Sequence, residues 1–386
     1  MSKNRFWICF GAAGLFLLAS DGLADWGPVQ RLTWTPGGSY NPAMAMDSTS
    51  AIHVVWHDLT PDNAEIYYKR SPDGGKSWDP ARRLTWTSGH SYRPAISTDS
   101  GDTVHVVWED YTPDSFEIYY RRSTDSGATW GAVRRLTWTS GWSEYPAIAT
   151  DSSNTVHVVW EDYTPGDYEI YYMSSSNGGE TWSAVKRLTW TSGWSRYPDI
   201  ATSAVNNVHV VWADDTPGTY EIYSKSSPDG GGTWGAAKRA TWTSNGSFWP
   251  EVALDSSGGM HVVWYGYDYS PYQLEIYHKR SPDGGATWGP TKRVSWTSGG
   301  SFWPAIAVVT TDAIYVPWTD YTPGVSEIFF KSSLDGGGTW SAAQRLTWTS
   351  GDSEDPAIVV DPAAAIHIVW SDNTPGNTEI FYRKGN

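Results

Sequence analysis

Short hydrophobic runs of four kinds recur along the chain, always in the same order. A run of the type P-A-I-A is followed by V-H-V-V-W, then by E-I-Y-Y and then by R-L-T-W, with polar segments between them. Each run is rich in β-branched and aromatic residues and is bounded by Gly, Pro, Asp or Ser, which is the pattern of β-strands. The pattern predicts four antiparallel strands per unit, and residues 25–386 show no helical periodicity.

The order of these runs repeats around a fixed spacing. R-L-T-W-T or a near copy begins at residues 31, 83, 135, 187, 239, 293 and 345, at intervals of 52 residues with one of 54. Four-stranded units repeated in this way are typical of β-propellers. We therefore predict an all-β fold, a seven-bladed β-propeller of four-stranded antiparallel blades.

The two ends of the repeat array complement each other. The last unit stops at E-I-F-Y-R-K-G-N and lacks a fourth strand, whereas the first segment, D-W-G-P-V-Q-R-L-T-W-T, contains only that strand. We predict that residues 26–35 supply the outermost strand of the blade begun by residues 356–383. Closure of the ring in this way leaves no unpaired sheet edge.

The first 24 residues have the composition of a secretory signal peptide. A basic head is followed by the apolar run F-W-I-C-F-G-A-A-G-L-F-L-L-A and by small residues before Asp25. We predict cleavage near Ala24, export to the periplasm or the cell exterior, and a single domain over residues 25–386. Cys9, the only cysteine, lies in this leader. The mature chain is therefore expected to have no disulfide, no cysteine nucleophile and no thiolate metal site.

Charge and residue spacing limit the partners. The formal net charge is −15, and an acidic surface repels phosphate backbones, so we expect no nucleic-acid partner. No stretch after residue 24 is apolar enough to insert in a membrane.

The recurrent His of V-H-V-V-W would be spread around the ring, so we predict hydrogen-bonded strand histidines, no metal site and no cofactor. The recurrent Glu of E-I-Y-Y and the Asp two residues after the V-V-W tryptophan are interpreted as carboxylates that brace loops.

A turn of the form S-x-D-G-G-x-T-W separates the third and fourth strands. Its glycines permit positive φ, and its carboxylate can accept hydrogen bonds from its own backbone. Because the turn recurs from blade to blade, we assign it a structural role. The residues at its third position are Asp73, Asp125, Asn177, Asp229, Asp283 and Asp335.

This turn resembles the Asp-box, and the chain resembles the Asp-box (BNR-repeat) sialidase-like propeller family, as a highly repetitive seven-bladed member. The resemblance covers residues 26–386. It implies a propeller whose boxes lie on the rim, away from any active site. Because the family includes sialidases, other glycoside hydrolases, sorting receptors and lectins, the resemblance leaves the function open.

The copies differ most in the loop that leads from each outermost strand to the next innermost strand. Aromatic rings beside charged groups suit a sugar, because the ring stacks on the pyranose and the charge bonds to hydroxyls. The alternative is that the rings fill the seams between blades. Trp142 and Trp194 favour a ligand, because other copies have Gly, His or Asp in that position. The predicted ligand-binding residues are Tyr92, Arg93, Trp142, Glu144, Tyr145, Trp194, Arg196, Tyr197, Trp249 and Trp303.

No catalytic residues are predicted. A sialidase would imply three arginines around the substrate carboxylate, a Tyr–Glu nucleophile pair and an Asp acid, but these loops contain only Arg93 and Arg196. Near-identical blades favour several similar weak sites. We therefore predict a secreted, monomeric, non-catalytic propeller that binds glycans or an extracellular protein multivalently. The alternatives are a sialidase-type exo-glycoside hydrolase and a protein-interaction scaffold.

Overall fold

The computed structural model describes residues 24–60, 62–112, 114–267, 273–322 and 324–386. The predicted signal peptide lies outside these residues, apart from Ala24. Within them, no helix has the length and apolar character that a membrane span requires.

The predicted strands form in every unit, because each hydrophobic run is long enough to cross one blade. The innermost strands are β2 (Ser39–Met46), β6 (Ser91–Thr98), β10 (Ser143–Thr150), β14 (Ser195–Thr202), β18 (Ser247–Leu254), β22 (Ser301–Phe302) with β23 (Ala307–Val308), and β27 (Ser353–Val360). The second strands are β3 (Ile52–Asp58), β7 (Val104–Asp110), β11 (Val156–Asp162), β15 (Val208–Asp214), β19 (Met260–Tyr267), β24 (Ile314–Asp320) and β28 (Ile366–Asp372).

The outer half of each blade holds a long strand and a short one. The third strands are β4 (Glu65–Ser71), β8 (Glu117–Ser123), β12 (Glu169–Ser175), β16 (Glu221–Ser227), β20 (Leu274–Ser281), β25 (Glu327–Ser333) and β29 (Glu379–Gly385). The outermost strands are β1 (Gln30–Arg31), β5 (Arg82–Arg83), β9 (Arg134–Arg135), β13 (Lys186–Arg187), β17 (Lys238–Arg239), β21 (Lys292–Arg293) and β26 (Gln344–Arg345).

These strands pair antiparallel in chain order within each blade, as in β2-β3-β4-β5. In the sixth blade the innermost strand is split, and both β22 and β23 pair with β24. The described residues thus form seven blades of four antiparallel strands in a ring. The prediction of a seven-bladed β-propeller is confirmed.

The N-terminal strand closes the ring, as the sequence predicts. The last sheet has the order β1-β29-β28-β27, with Gln30 opposite Tyr382 and Arg31 opposite Phe381. Next to this pair, the amide of Asp25 donates a 3.1 Å hydrogen bond to the carbonyl of Asn386. The two ends of the described chain are therefore joined by backbone hydrogen bonds.

The core consists of hydrophobic clusters between neighbouring blades. In one of them, Trp108 of the second blade packs with Ile66, Tyr68 and Leu84 of the first. The same arrangement recurs at the closing seam, where residues of the first blade pack with those of the last. The second strands each contribute one buried tryptophan to this core: Trp56, Trp108, Trp160, Trp212, Trp264, Trp318 and Trp370.

Buried polar side chains connect the strands to the turns. His53 is hydrogen-bonded through Nδ1 to the hydroxyl of Tyr68 (2.7 Å) and through Nε2 to Asp47 (3.1 Å). Glu65 accepts hydrogen bonds from Arg83 (2.7 Å) and from the amide of Thr87 (3.0 Å). These contacts agree with the interpretation of strand histidines and loop-bracing carboxylates.

The S-x-D-G-G-x-T-W turn holds itself together and fits against the preceding blade. Asp73 accepts hydrogen bonds from the amide of Ser77 (2.8 Å) and from its hydroxyl (2.6 Å). Gly75 has φ of 88°, and a Cβ at this position would lie 1.8 Å from the hydroxyl oxygen of Tyr382 in the neighbouring blade. The turn therefore requires glycine both for its backbone conformation and for close approach.

Candidate functional site

A β-bulge in the innermost strand of most blades determines which side chains face the ring axis. In the first blade, Tyr40 pairs with His57 and Ala43 pairs with Val55, so Asn41 and the following proline together oppose one residue. A bulge of this kind re-aims a side chain and often lies beside an active site. The residue before the proline has φ between 45° and 55° in all seven blades: Asn41, Arg93, Tyr145, Tyr197, Trp249, Trp303 and Asp355. Positive φ is unusual for such bulky residues.

These seven side chains surround a cavity of about 350 Å³ on the ring axis. Two residues further along the strands, five blades present an alanine to the cavity, and the other two present Asp199 and Glu251. Because the backbone is nearly the same in every blade, the chemistry of the cavity depends on which side chain each blade places before the proline and two residues later. The volume lies at the lower end of the range for ligand pockets.

Asp355 and Asn41 form a polar side of the cavity. Nδ2 of Asn41 donates a 3.0 Å hydrogen bond to Oδ2 of Asp355. Burial raises the pKa of Asp355 to about 7, and the charge of Glu354 acts in the same direction, whereas Arg93 and Asn41 oppose it. Asp355 can therefore carry a proton near neutral pH.

Arg93 adjoins this polar side in the next blade. Its Nη1 donates a hydrogen bond to Glu109, and its guanidinium lies 4.2 Å from the centroid of the Tyr145 ring. Glu109 also accepts a 2.8 Å hydrogen bond from the backbone amide of Tyr145. The buried glutamate thus fixes both the cation and the aromatic residue beside it. Burial raises the pKa of Tyr145, against the effect of Arg93, so its phenol is neutral.

A second arginine is held in the same way but lies beside the cavity rather than in its wall. Arg196 donates two hydrogen bonds to Oε1 of Glu161 (2.9 and 2.6 Å), and the amide of Tyr197 donates to Oε2 (2.7 Å). Burial raises the pKa of Glu161 to about 7, against the effect of Arg196. Burial acts to lower the pKa of Arg196, but the charge of Glu161 outweighs it and raises that pKa. The three short hydrogen bonds favour the ionised carboxylate, so we describe the pair as ionic.

Aromatic rings form the side of the cavity opposite Asn41. Tyr197 stacks on Trp249 at 4.2 Å with an interplanar angle of 18°. Tyr145 meets both rings edge-on, at 5.1 and 5.5 Å. Trp303 contacts Phe302 at 5.7 Å and completes this wall. The faces and edges of these rings suit the apolar side of a sugar ring.

A pair of carboxyl groups, Asp199 and Glu251, lies two residues further along the strands than Tyr197 and Trp249 of the aromatic wall. Asp199 accepts a 2.7 Å hydrogen bond from the amide of Val252. Burial raises the pKa of Asp199, and burial together with the charge of Asp199 raises the pKa of Glu251. Both groups face the cavity, and their like charges oppose ionisation of both, so the pair holds a proton more readily than an isolated carboxyl group does.

The predicted ligand-binding residues divide into two sets. Those that line the cavity are Arg93, Tyr145, Tyr197, Trp249 and Trp303. The others lie around it: Tyr92, Trp142, Glu144, Trp194 and Arg196. Trp142 and Trp194 are 47% and 42% exposed and meet Phe116 and Tyr168 edge-on.

Besides Arg196, which Glu161 holds, two of the outer residues are already engaged within the protein. Tyr92 contacts His57 edge-on at 5.1 Å and stacks on His90 at 5.4 Å. Glu144 is buried and accepts a 3.0 Å hydrogen bond from the hydroxyl of Tyr168. Both side chains therefore already have partners within the protein.

Four cavity residues with polar side chains are absent from the predicted set: Asn41, Asp199, Glu251 and Asp355. A signal for two of them exists in the repeat, because Asp199 and Glu251 replace the alanine that follows the proline in the other copies. In the described part of the chain, no cluster of three or more His, Cys, Asp or Glu could hold a metal ion.

Neither a protein-family model nor a curated protein matches the chain, but solved structures share its fold. An ulvan polysaccharide lyase has a TM-score of 0.66, with 12% identity over 92% of this chain and 95% of the other. An α-L-arabinofuranosidase from Fusarium graminearum has a TM-score of 0.57, with 16% identity over 75% and 91%. The intramolecular trans-sialidase from Ruminococcus gnavus has a TM-score of 0.53, with 10% identity over 90% and 94%.

These comparisons correct the functional prediction. The similar structures are enzymes that process glycans, so the prediction of a non-catalytic glycan-binding propeller is wrong, and its alternative of a glycoside hydrolase has better support. At 10 to 16% identity the likeness shows the fold alone, and the Asp-box assignment stays a prediction. The chain is thus a seven-bladed propeller similar in fold to sialidases, polysaccharide lyases and an arabinofuranosidase.

Proposed function

We propose that the protein is an exo-acting glycoside hydrolase that removes acidic sugars, with the axial cavity as its active site. The observation that carries the proposal is the row of Asp355, Asn41 and Arg93 in three consecutive blades. This row offers a carboxyl group that is protonated near neutral pH beside a cation. Hydrolysis of an acidic sugar needs both, because one group must protonate the leaving oxygen while another binds the carboxylate.

Arg93 is the group that would bind the sugar carboxylate. Its Nη1 is held by Glu109, and a guanidinium has further N–H donors in a planar fork that matches a carboxylate. The ring of Tyr145 beneath it fixes the direction of the fork. Tyr197 and Trp249 would stack on the sugar ring from the other side.

Asp355 is the general acid in this scheme. Protonated Asp355 donates its proton to the glycosidic oxygen as the bond to the anomeric carbon breaks. A water molecule adds to that carbon, and its proton passes to the Asp199–Glu251 pair. These carboxyl groups lie in the fourth and fifth blades, across the axis from Asp355 in the seventh, so the substrate would lie between them. The small volume of the cavity suits a terminal sugar better than the middle of a chain.

The test is release of a fluorophore or of a terminal sugar from sialosides and from uronate-terminated oligosaccharides. We expect Asp355→Asn to lower kcat at least 100-fold, the usual effect of removing a general acid. Asp312→Asn, on an exposed turn away from the cavity, is the matched control and should leave kcat unchanged. Absence of any release by the wild-type chain, or full activity of Asp355→Asn, would reject the proposal.

A polysaccharide lyase is the second candidate, and one of the similar structures supports it. One similar structure is an ulvan lyase bound to -[GlcA(1-4)Rha3S]-. A lyase would generate an unsaturated uronate with its ultraviolet absorbance, which hydrolysis does not produce.

A further inference from the structure

Seven exposed tryptophans encircle the ring far from the axial cavity. Each lies three residues beyond the arginine of an outermost strand, or its equivalent, and is 63 to 71% exposed. A tryptophan that only covered a seam would be buried, as are those of the second strands. We call this set the tryptophan girdle: Trp34, Trp86, Trp138, Trp190, Trp242, Trp296 and Trp348.

The girdle tryptophans border grooves between neighbouring blades. The groove at Trp296 has a volume of about 380 Å³ and is lined by Thr322, Phe329 and Lys331 of the next blade. The groove at Trp348 has a volume of about 480 Å³. Both volumes match small-ligand pockets. An open indole face above a recess with hydroxyl groups is the arrangement that stacks on a pyranose and bonds to its hydroxyls.

A cation accompanies the indole in most grooves. Nζ of Lys331 lies 4.8 Å from the centroid of the Trp296 ring and donates a 2.8 Å hydrogen bond to the carbonyl of Val294. Lys69, Lys225 and Lys279 repeat this geometry at 5.5 Å from their tryptophans. Among the described residues, no carboxylate pairs with these four lysines. The charges of Glu221 and Glu275 act on Lys279 and Lys331 without direct contact. Each lysine donates one hydrogen bond to a backbone carbonyl and has further N–H donors for an anionic group of a ligand.

The third blade provides an internal comparison, because Met173 replaces the cation beside Trp138. The groove there keeps the indole and Arg135, whose guanidinium lies 5.6 Å from the Trp138 ring and pairs with Glu117, but it lacks the cation from the neighbouring blade. Indole and cation are therefore separable features of the repeat.

The girdle lies at the same end of the blades as the residues that open the axial cavity. Each girdle tryptophan precedes the loop that leads into an innermost strand, as Trp34 precedes β2, and Asn41 lies two residues into that strand. Adjacent strands are about 4.8 Å apart, so a blade of four strands is roughly 14 Å wide from its innermost to its outermost strand. One extended polysaccharide could therefore contact the girdle while its end occupies the cavity.

We propose that the tryptophan girdle binds anionic polysaccharide chains, with one pyranose stacked on an indole and its carboxylate or sulfate beside the neighbouring Lys or Arg. This binding goes beyond the proposed hydrolysis and does not depend on it. Several equivalent grooves on one rim raise the avidity for a polymer that spans more than one of them.

The test is affinity electrophoresis of the mature chain in native gels that contain polygalacturonate, dextran sulfate or neutral dextran. We expect retardation by at least one anionic polymer. The triple variant Trp242→Ala, Trp296→Ala, Trp348→Ala should weaken the apparent affinity at least tenfold, and the corresponding Trp→Phe variant should retain most of it. Lys225→Met with Lys331→Met, which copies the third blade, should weaken binding to the anionic polymers.

Thermal unfolding of each variant establishes that it is folded. Wild-type mobility that no anionic polymer changes, or an alanine variant that is retarded as strongly as the wild type, would overturn the inference. Equal retardation of the Lys→Met variant would overturn the role of charge. The same gels with the Asp355→Asn variant separate the two proposals. Retardation equal to that of the wild type would show that polymer binding does not depend on the proposed acid. Retardation of a wild-type chain that hydrolyses no substrate would support the girdle and reject the proposed function.

Discussion

Nδ2 of Asn41 lies 3.0 Å from Oδ2 of Asp355, and this hydrogen bond crosses the seam at which the ring closes. The amide favours the ionised carboxylate and so lowers the pKa of Asp355, which burial raises to about 7. The residue that adjusts the proposed acid therefore belongs to the first blade, whereas the acid belongs to the last.

Replacement of Asn41 by Ala should shift the pH dependence of hydrolysis upward. Without the amide, the pKa of Asp355 rises further, and the acid stays protonated to higher pH. Because activity is present below this pKa and lost above it, the alkaline limb of kcat/KM should move to higher pH by a fraction of a unit to about one unit. A limb that stays in place or moves to lower pH would contradict the assignment of Asp355 as the acid.

His278→Tyr should stabilise the protein at mildly acidic pH. His278 occupies the position in the fifth blade that Tyr68 has in the first. Its Nε2 lies 3.1 Å from Nδ1 of His261, and its Nδ1 has no hydrogen-bond partner within the described residues. Burial lowers its pKa to about 3, with His261 and Arg280 acting in the same direction. The contribution of neutral His278 to stability is therefore fully present above the unfolded-state pKa of about 6.5, and it is lost as the pH falls towards 3.

The measurement is the free energy of unfolding from pH 8 to pH 4.5. We expect His278→Tyr to reduce the loss between pH 7 and pH 5 by about 2 kcal/mol, since each pKa unit corresponds to about 1.4 kcal/mol. An unchanged pH dependence would show that His278 already titrates normally in the folded state.

Arg196→Gln should destabilise the fold rather than only weaken ligand binding. The substitution leaves Glu161 buried without its cation, which typically costs about 3–5 kcal/mol. The double variant with Glu161→Gln should recover much of the loss, because no unpaired charge remains. Chemical denaturation of the two single variants and the double variant measures this coupling, and additive losses would contradict the ion-pair account.

Two glycines of positive φ should differ in their tolerance of alanine. Gly75 has φ of 88° and would place a Cβ 1.8 Å from the Tyr382 hydroxyl, whereas Gly218 has φ of 98° and no atom within 4 Å. Both Ala variants lose about 1 kcal/mol from the backbone conformation. Gly75→Ala should lose about 1–3 kcal/mol more from overpacking. Equal melting temperatures of the two variants would argue against the close fit of turn and blade.

The strands, the blade count and the closure by residues 26–35 could be read from the sequence, because alternation and repetition are local signals. The cavity could not be read in the same way. S-Y-R-P and S-R-Y-P look alike, but the bulge turns Arg93 towards the axis, whereas Arg196, one position earlier, reaches Glu161. Asp355 was missed because nothing in its own segment marks the positive φ that aims it inward.

The pairing of β1 with β29 also changes how the repeat array should unfold. In a linear array of repeats, the first and last units have one neighbour each and fray first. Here the first and last blades pack against each other, so every blade has two neighbours and none is terminal. Removal of any blade must break two interfaces at once, and the ring is therefore expected to unfold as one cooperative unit rather than from its ends.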